Sequence, residues 1–214
     1  LSDINLIGGT LSIHKNNYNS IFIISRKGEI LDVYRKKHLV VFGEYLPFRK
    51  GLLIRFLSSL NKFEDRTHET ELKVFHFDKY TIGISICSEN FYPSLSREFV
   101  LKGATILTNH TNNSWFKDPT LPYQHFSMNV FRAVENRKNV LISANSGISG
   151  IIDASGRTVE KIKEDESLSF ISNAYTNNYI TAYDKTGDVI VYFSLLFLIG
   201  ILIFAVFSKI KKRI

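Results

Sequence analysis

The nineteen residues 189–207, VIVYFSLLFLIGILIFAVF, contain no charge, and this run constrains the chain more than any other feature. Wound as a helix at about 1.5 Å per residue it is about 28 Å long, close to the roughly 30 Å hydrocarbon core of a bilayer. Fifteen of the nineteen are Leu, Ile, Val or Phe. At about −0.3 to −0.6 kcal/mol each, insertion is favoured by about 5–9 kcal/mol. A helix buried in the protein's own core is the competing reading, but such helices are usually shorter and carry polar residues. We therefore expect one transmembrane helix over 189–207. The sequence SKIKKRI after it is basic and YDKTGD before it weakly acidic. The positive-inside rule then places 208–214 as a basic cytoplasmic tail and 1–188 on the outer side. Its place far from the amino terminus argues against a signal peptide.

The net charge is +7, with an isoelectric point near 9.4. Lys209, Lys211, Lys212 and Arg213 supply more than half of that surplus. No Lys/Arg block interleaved with aromatics occurs elsewhere, so nucleic acid is not an expected partner. A single cysteine, Cys87, cannot form an intramolecular disulfide. The six histidines pair with neither Cys nor one another at ligand spacing, so no metal or other cofactor is expected.

The region before the apolar run alternates strand-like and helix-like stretches, predicting an α/β fold with a sheet covered by helices. Ser20–Ser25 and Ile30–Tyr34 read as a hairpin turning at Lys27-Gly28. Leu72–Phe77 and Tyr80–Ile86 read as a second, turning at Asp78-Lys79. Pro93–Lys102 reads as a helix stopped by Gly103, and Ala104–Asn109 as a buried strand. Tyr123–Lys138 reads as a helix with Phe126, Val130, Ala133 and Val134 on one face. Asn139–Ala144 and Gly150–Asp153 read as strands, and beyond Lys161 the pattern weakens toward a linker.

Three segments can carry chemistry. Cys87 ends the apolar strand YTIGISIC and precedes a turn. Such a junction exposes a side chain while neighbouring N–H groups face the same space, which suits a nucleophile with an oxyanion hole. A buried, inert thiol is the alternative. YRKKHLVVFGEYLPF, residues 34–48, gathers Lys36, Lys37, His38 and Glu44 among apolar residues. A lysine near a thiol can activate it and stabilise an oxyanion, whereas a solvated charge run is the common case. TNHTNNSWF, residues 108–116, places Asn112 and the only tryptophan, Trp115, after a buried strand. It suits a pocket rim or is an ordinary loop.

Taken together, YRKKHLVVFGEYLPF, ICSENFYPSLSREFVLKGA, TNHTNNSWF, PYQHFSMNVFRAVENRK and SANSGISGIIDASGR follow the order and spacing of apolipoprotein N-acyltransferases. The chain resembles that family, a membrane-helix-bearing branch of the nitrilase and amidase superfamily, over roughly residues 5–160. The resemblance implies a nitrilase-like α-β-β-α sandwich. The catalytic domain would span 1–165, lacking its amino-terminal part, followed by a linker at 166–188 and the membrane helix. It implies a Glu-Lys-Cys triad with the lysine at Lys36 and the nucleophile at Cys87. Two further family glutamates fall on Glu44 and Glu89, and the tryptophan near the site on Trp115. Ser88, Asn112 and His38 are the other expected substrate contacts. The family's general-base glutamate lies upstream of everything here, so the chain reads as a carboxy-terminal fragment, inactive by itself. Ser88 stands where the family usually has Tyr, Val41 where it has Pro and Asn113 where it has Asp, which bears on acyl-donor geometry.

The activity implied is transfer of an acyl chain from a membrane phospholipid to the amino-terminal amine of a diacylglyceryl-cysteine apolipoprotein, through a Cys87 thioester. The implied setting is the bacterial inner membrane, with the domain on the periplasmic side and the protein a monomer. The competing readings are an amidase acting on a small amide and a catalytically dead remnant. Residues 49–63, RKGLLIRFLSSLNKF, place Leu53, Phe56, Leu57, Leu60 and Phe63 on one helical face. They form either a lid that dips into the outer leaflet or a helix packed on the core.

Overall fold

Alternation of apolar and polar residues over 17–35 gives an antiparallel pair, as its period of two requires. In the computed structural model β2 (Asn17–Ile24) pairs with β3 (Ile30–Arg35), Ile21 facing Tyr34 and Ile23 facing Asp32. β1 (Leu6–Ile13) adds to the other edge of β2, making a three-stranded sheet. The sequence pattern did not mark β1, whose GGT centre lacks the usual strand residues. The structure describes residues 6–13, 17–47, 66–114, 120–162, 166 and 168–211. The expected lid at 49–63 and Trp115 lie outside them.

The second sheet has six strands in the order β4-β5-β6-β7-β8-β9. These are β4 (Phe75–Phe77), β5 (Tyr80–Ile86), β6 (Ile106–Asn112), β7 (Asn139–Asn145), β8 (Ser149–Ile152) and β9 (Thr158–Ile162). β5, β6 and β7 run parallel, and the flanking strands are antiparallel. Parallel strands need long crossovers, supplied by α1 (Pro93–Leu101) and α2 (Leu121–Asn136). The continuous apolar character of β5 fits its place: residues 82–86 are all buried between the layers. Gly83 makes that burial possible. A Cβ there would stand 2.6 Å from Phe99 Cβ on α1 and 3.0 Å from Leu107 Cδ2. Ile21, Ile23 and Tyr34 of the small sheet join Ile82, Ile84, Ile86, Leu107 and Phe99 in one core.

Two strands and one helix face differ most from the sequence reading. β4 covers only 75–77, not 72–77. β6 starts at Ile106 and runs on through polar residues to Asn112, because its ladder with β7 continues to Asn112–Asn145. On α2 the buried face is not the apolar one expected. Phe126 and Ala133 are buried, but Val134 is exposed, and His125, Asn129, Arg132 and Asn136 are buried instead. Asn129 Nδ2 donates to the His125 carbonyl at 3.0 Å and Asn136 Nδ2 to that of Arg132 at 2.8 Å, so these polar side chains are partly satisfied by their own helix.

After β9 the chain reaches a short helix, α3 (Ala182–Thr186), capped by Thr181, and then α4 (Val189–Lys211). The apolar side chains of α4 described over 189–204 are exposed, Ile190 by 77% and Phe204 by 76%. No helix among the described residues is long and apolar enough to cross a membrane, so the expected span over 189–207 is not shown.

The contact at Gly83 yields a test. Gly83→Ala is expected to lower stability by about 1–3 kcal/mol through overpacking against Phe99 and Leu107. Denaturant unfolding checks this, and an unchanged midpoint would mean that α1 does not pack on β5 as described.

Candidate active site

Cys87 stands one residue past the end of β5, and its backbone is left-handed, with φ 52°. For a residue bearing a Cβ that conformation costs on the order of 1–3 kcal/mol and persists only where the surroundings impose it. Asn109 imposes it from the neighbouring strand. Its Nδ2 donates to the Cys87 carbonyl at 3.1 Å and to Ser85 Oγ at 3.0 Å, and Ser85 Oγ donates to the Thr108 carbonyl at 2.9 Å. A 3₁₀ turn follows over Cys87–Phe91. The thiol is half-buried against the core. Ser146, just past the end of β7, also has φ 52°, and the Asn113 N–H donates to the Asn145 carbonyl at 3.0 Å. The carboxyl ends of three parallel strands therefore open at one edge, the usual position of a site in such sheets.

Glu89 is the most heavily engaged of the buried carboxylates described. It is fully buried. Oε1 accepts from the N–H groups of Lys37 at 2.7 Å and His38 at 3.0 Å. Oε2 accepts from the Ile86 N–H at 2.8 Å and the Tyr34 hydroxyl at 2.9 Å. Burial raises the Glu89 carboxyl above its ordinary value, opposed by the hydrogen bonds from His38 and Ile86, the Lys36 charge and the Lys37 N–H. Burial and the adjacent Glu89 charge hold the Tyr34 hydroxyl well above its usual range, so it stays a donor. One side chain thus fastens the turn of Cys87 to the stretch 36–38.

Lys36 is buried with its Nζ 2.8 Å from Glu44 Oε2, which also accepts from the Val40 N–H at 2.8 Å. Glu44 Oε1 accepts from Asn19 Nδ2 at 2.9 Å. Burial pushes Glu44 up, but the Lys36 charge and these hydrogen bonds bring it below its ordinary value, so the pair is ionic. A bridge between Val41 and Tyr45, with Phe42 at φ 61°, folds FGEYL so that Glu44 turns back onto the lysine. The charge of Lys36 also depresses His125, after burial.

The structure brings Lys36, Glu44, Cys87 and Glu89 into one network. His38 enters it through its backbone, while its ring stacks on Tyr92 at 4.3 Å between centroids. Ser88 follows the cysteine with its hydroxyl buried and without a partner among the described residues. Asn112 is exposed, and its Oδ1 accepts from the Ser114 N–H at 3.0 Å, a local turn. Four contributors were not singled out from sequence: Asn19, Tyr34, Asn109 and His125. Asn109 had a signal, a polar amide after the apolar start of a buried strand. His125 packs edge-on to Phe91 at 5.1 Å, and its carbonyl accepts from Asn90 Nδ2 at 2.8 Å. Among the described residues no group of three His, Cys, Asp or Glu could hold a metal ion.

Comparison with known proteins gives the family and the fold. The chain is 42% identical over 139 residues to an apolipoprotein N-acyltransferase of Geobacter metallireducens, covering 64% of this chain and 26% of that protein. It is 35% identical over 188 residues to apolipoprotein N-acyltransferase 2 of Treponema denticola, covering 85% and 35%. The chain thus spans about a third or less of the length of these relatives. The fold resembles the crystal structure of Nit3 from Saccharomyces cerevisiae, of the nitrilase superfamily, with a TM-score of 0.60 at 21% identity over 77% of this chain and 57% of that one. A carbon–nitrogen hydrolase from Helicobacter pylori gives 0.59 at 18% identity, covering 77% and 59%. The α/β fold is therefore nitrilase-like, and residues 3–180 match the carbon–nitrogen hydrolase family. A cysteine in a left-handed turn, fastened by a buried glutamate to the stretch of a paired lysine, thus sits in a chain that belongs to the carbon–nitrogen hydrolase family.

Proposed function

We propose that this chain carries the cysteine site of a lipoprotein-maturing N-acyltransferase. The observation that carries the reading is the Glu89 carboxylate, which holds the Cys87 turn and the Lys36 stretch together, joined to relatives named for this transfer. The Cys87 thiolate attacks the ester carbonyl of a membrane phospholipid. A sulfur–carbon bond forms, the ester carbon–oxygen bond breaks, and the lysophospholipid leaves with a proton. The amine of a diacylglyceryl-cysteine apolipoprotein then attacks the thioester, forming the amide and returning the thiol. Lys36 and the Ser88 N–H stabilise the oxyanion at each tetrahedral stage. Trp115, Ser88, Asn112 and His38 are the proposed substrate contacts.

Glu44 and Glu89 each accept hydrogen bonds on both oxygens, so we assign them to holding Lys36 and the Cys87 turn in place. The general base is, by the family resemblance, a further glutamate, and a positioned base is worth typically about 10²–10⁴-fold. In this reading residues 1–165 form the catalytic domain of the α-β-β-α sandwich and 166–188 the connection to the membrane.

We place α4 across the bacterial inner membrane, with 208–214 on the cytoplasmic side and the domain on the periplasmic side. The support is physical: a helix apolar all round, with its described side chains exposed, is far more stable in lipid than in water. A tethered domain also suits a reaction whose two substrates are both lipids.

Three outcomes are expected. Cys87→Ala abolishes acyl transfer and acyl-enzyme formation in the membrane-embedded enzyme, and near-normal turnover would defeat the mechanism. Lys36→Met lowers turnover on the order of 10²–10³-fold, the loss typical of a missing oxyanion donor, measured as N-acylation of a lipopeptide. The protein stays in the membrane pellet after carbonate extraction and loses this behaviour when residues 189–207 are deleted. Release of the intact protein into the supernatant would contradict the span.

A further inference from the structure

Arg132 lies within α2 and is buried, 6% exposed. Its Nη1 donates to the Asn90 carbonyl at 3.3 Å, inside the turn Cys87–Phe91. Its Nη2 pairs with Glu135 Oε1 at 2.8 Å. The Glu135 carbonyl accepts from Thr181 Oγ at 2.7 Å. Thr181 in turn opens α3: its N–H donates to Asp184 Oδ2 at 2.8 Å, and its Oγ accepts from the Asp184 N–H at 2.9 Å. A chain of direct contacts thus runs from the turn of Cys87 through α2 to the root of α4.

The segment 177–187 is clamped rather than loose. Lys138 Nζ donates to Asn177 Oδ1 at 2.8 Å and to the Tyr179 carbonyl at 2.5 Å. Arg97 on α1 donates to the carbonyls of Asp184 at 2.7 Å and Lys185 at 3.1 Å, where α3 ends. The clamp is also incompletely satisfied. Arg132 Nε, Glu135 Oε2, Tyr183 OH and Asp184 Oδ1 are buried without a hydrogen-bond partner among the described residues. Glu135 lies within reach of the charges of Asp184 and Asp188 as well as Arg132. Buried polar groups are ordinarily paired, so this junction has donors and acceptors in reserve for a second arrangement of the same side chains.

We propose that Arg132 is a positioning residue that transmits the seating of the stem 177–187 to the turn bearing Cys87, so that the nucleophile is set only when α4 is held in place. The membrane part rests on the tethered reading above. The coupling itself rests on the contacts just described. Its function is to keep the thiol unreactive until the domain is mounted on the bilayer.

The test uses the chain in detergent or nanodiscs and needs no lipid substrate. Arg132→Met, Arg132→Lys, Thr181→Val and the Arg132→Met/Thr181→Val double variant are compared. The rate of Cys87 alkylation by iodoacetamide is read from the mass of the Cys87 peptide, beside the melting temperature. Arg132→Met and Thr181→Val are each expected to slow alkylation by about fivefold or more. The double variant should be no slower than the slower single one, because both cut one chain of contacts. Arg132→Lys keeps the charge but loses the two-pronged fork and should fall between. Unchanged rates in folded protein, or effects that multiply in the double variant, would overturn the proposal. Should Arg132→Met fail to fold, Thr181→Val, which removes one hydroxyl, decides it alone. Phospholipid acylation of Cys87 is assayed separately, so the coupling can fail while the acyl-transfer reading stands, and the reverse.

Discussion

The structure around Cys87 depends on one buried carboxylate. Glu89 accepts four hydrogen bonds, two from the stretch after β3, one from the last residue of β5 and one from Tyr34. Burying a carboxylate without such partners would cost far more than the fold could supply, since net stability is only about 5–15 kcal/mol. The donors are therefore not optional, and their positions fix both segments that supply them. Glu89 sits two residues after the thiol, so fixing its carboxylate also fixes the turn. Holding a strained Cys87 and an ion-paired Lys36 at one strand edge is a consequence of satisfying that charge.

The rest of the architecture brings the two segments within reach. β5, β6 and β7 are parallel, so their carboxyl ends lie side by side. That alignment lets Asn109, on β6, hold the carbonyl of Cys87 at the end of β5. The small sheet delivers β3 to the same edge because Tyr34 packs edge-on to Phe75 and Phe99 and still reaches Glu89 with its hydroxyl. One residue thus serves both as a core aromatic and as a polar tie.

Much of this was legible in the sequence. The hairpin over 20–34, the apolar strand ending at Cys87 and the helix from Pro93 follow from periodicity, Gly-containing turns and a Pro at a helix start. Cys87, Lys36 and Glu44 were marked by their segments and Glu89 by the resemblance, and the structure places all four in one network. What periodicity missed was polar. The buried face of α2 contains His125, Asn129, Arg132 and Asn136, which a search for apolar stripes discards. Asn129 and Asn136 donate to carbonyls of α2 and Arg132 to that of Asn90, which satisfies part of this polar face. β1 escaped because pairing with β2, not its own residue preferences, makes it a strand. The partners Asn19 and Tyr34 are far from Glu44 and Glu89 in sequence, and no local pattern announces such contacts.

The central claim is that the Cys87 sulfur carries the acyl chain. The most direct measurement is the mass of the Cys87 peptide after the membrane-embedded enzyme meets a phospholipid of defined acyl chains, without any amine acceptor. The account predicts a mass gain equal to one of those acyl groups, located on Cys87 and removed by neutral hydroxylamine as a thioester is. An unmodified Cys87 peptide beside an active enzyme, or an acyl group found on another side chain, would contradict it.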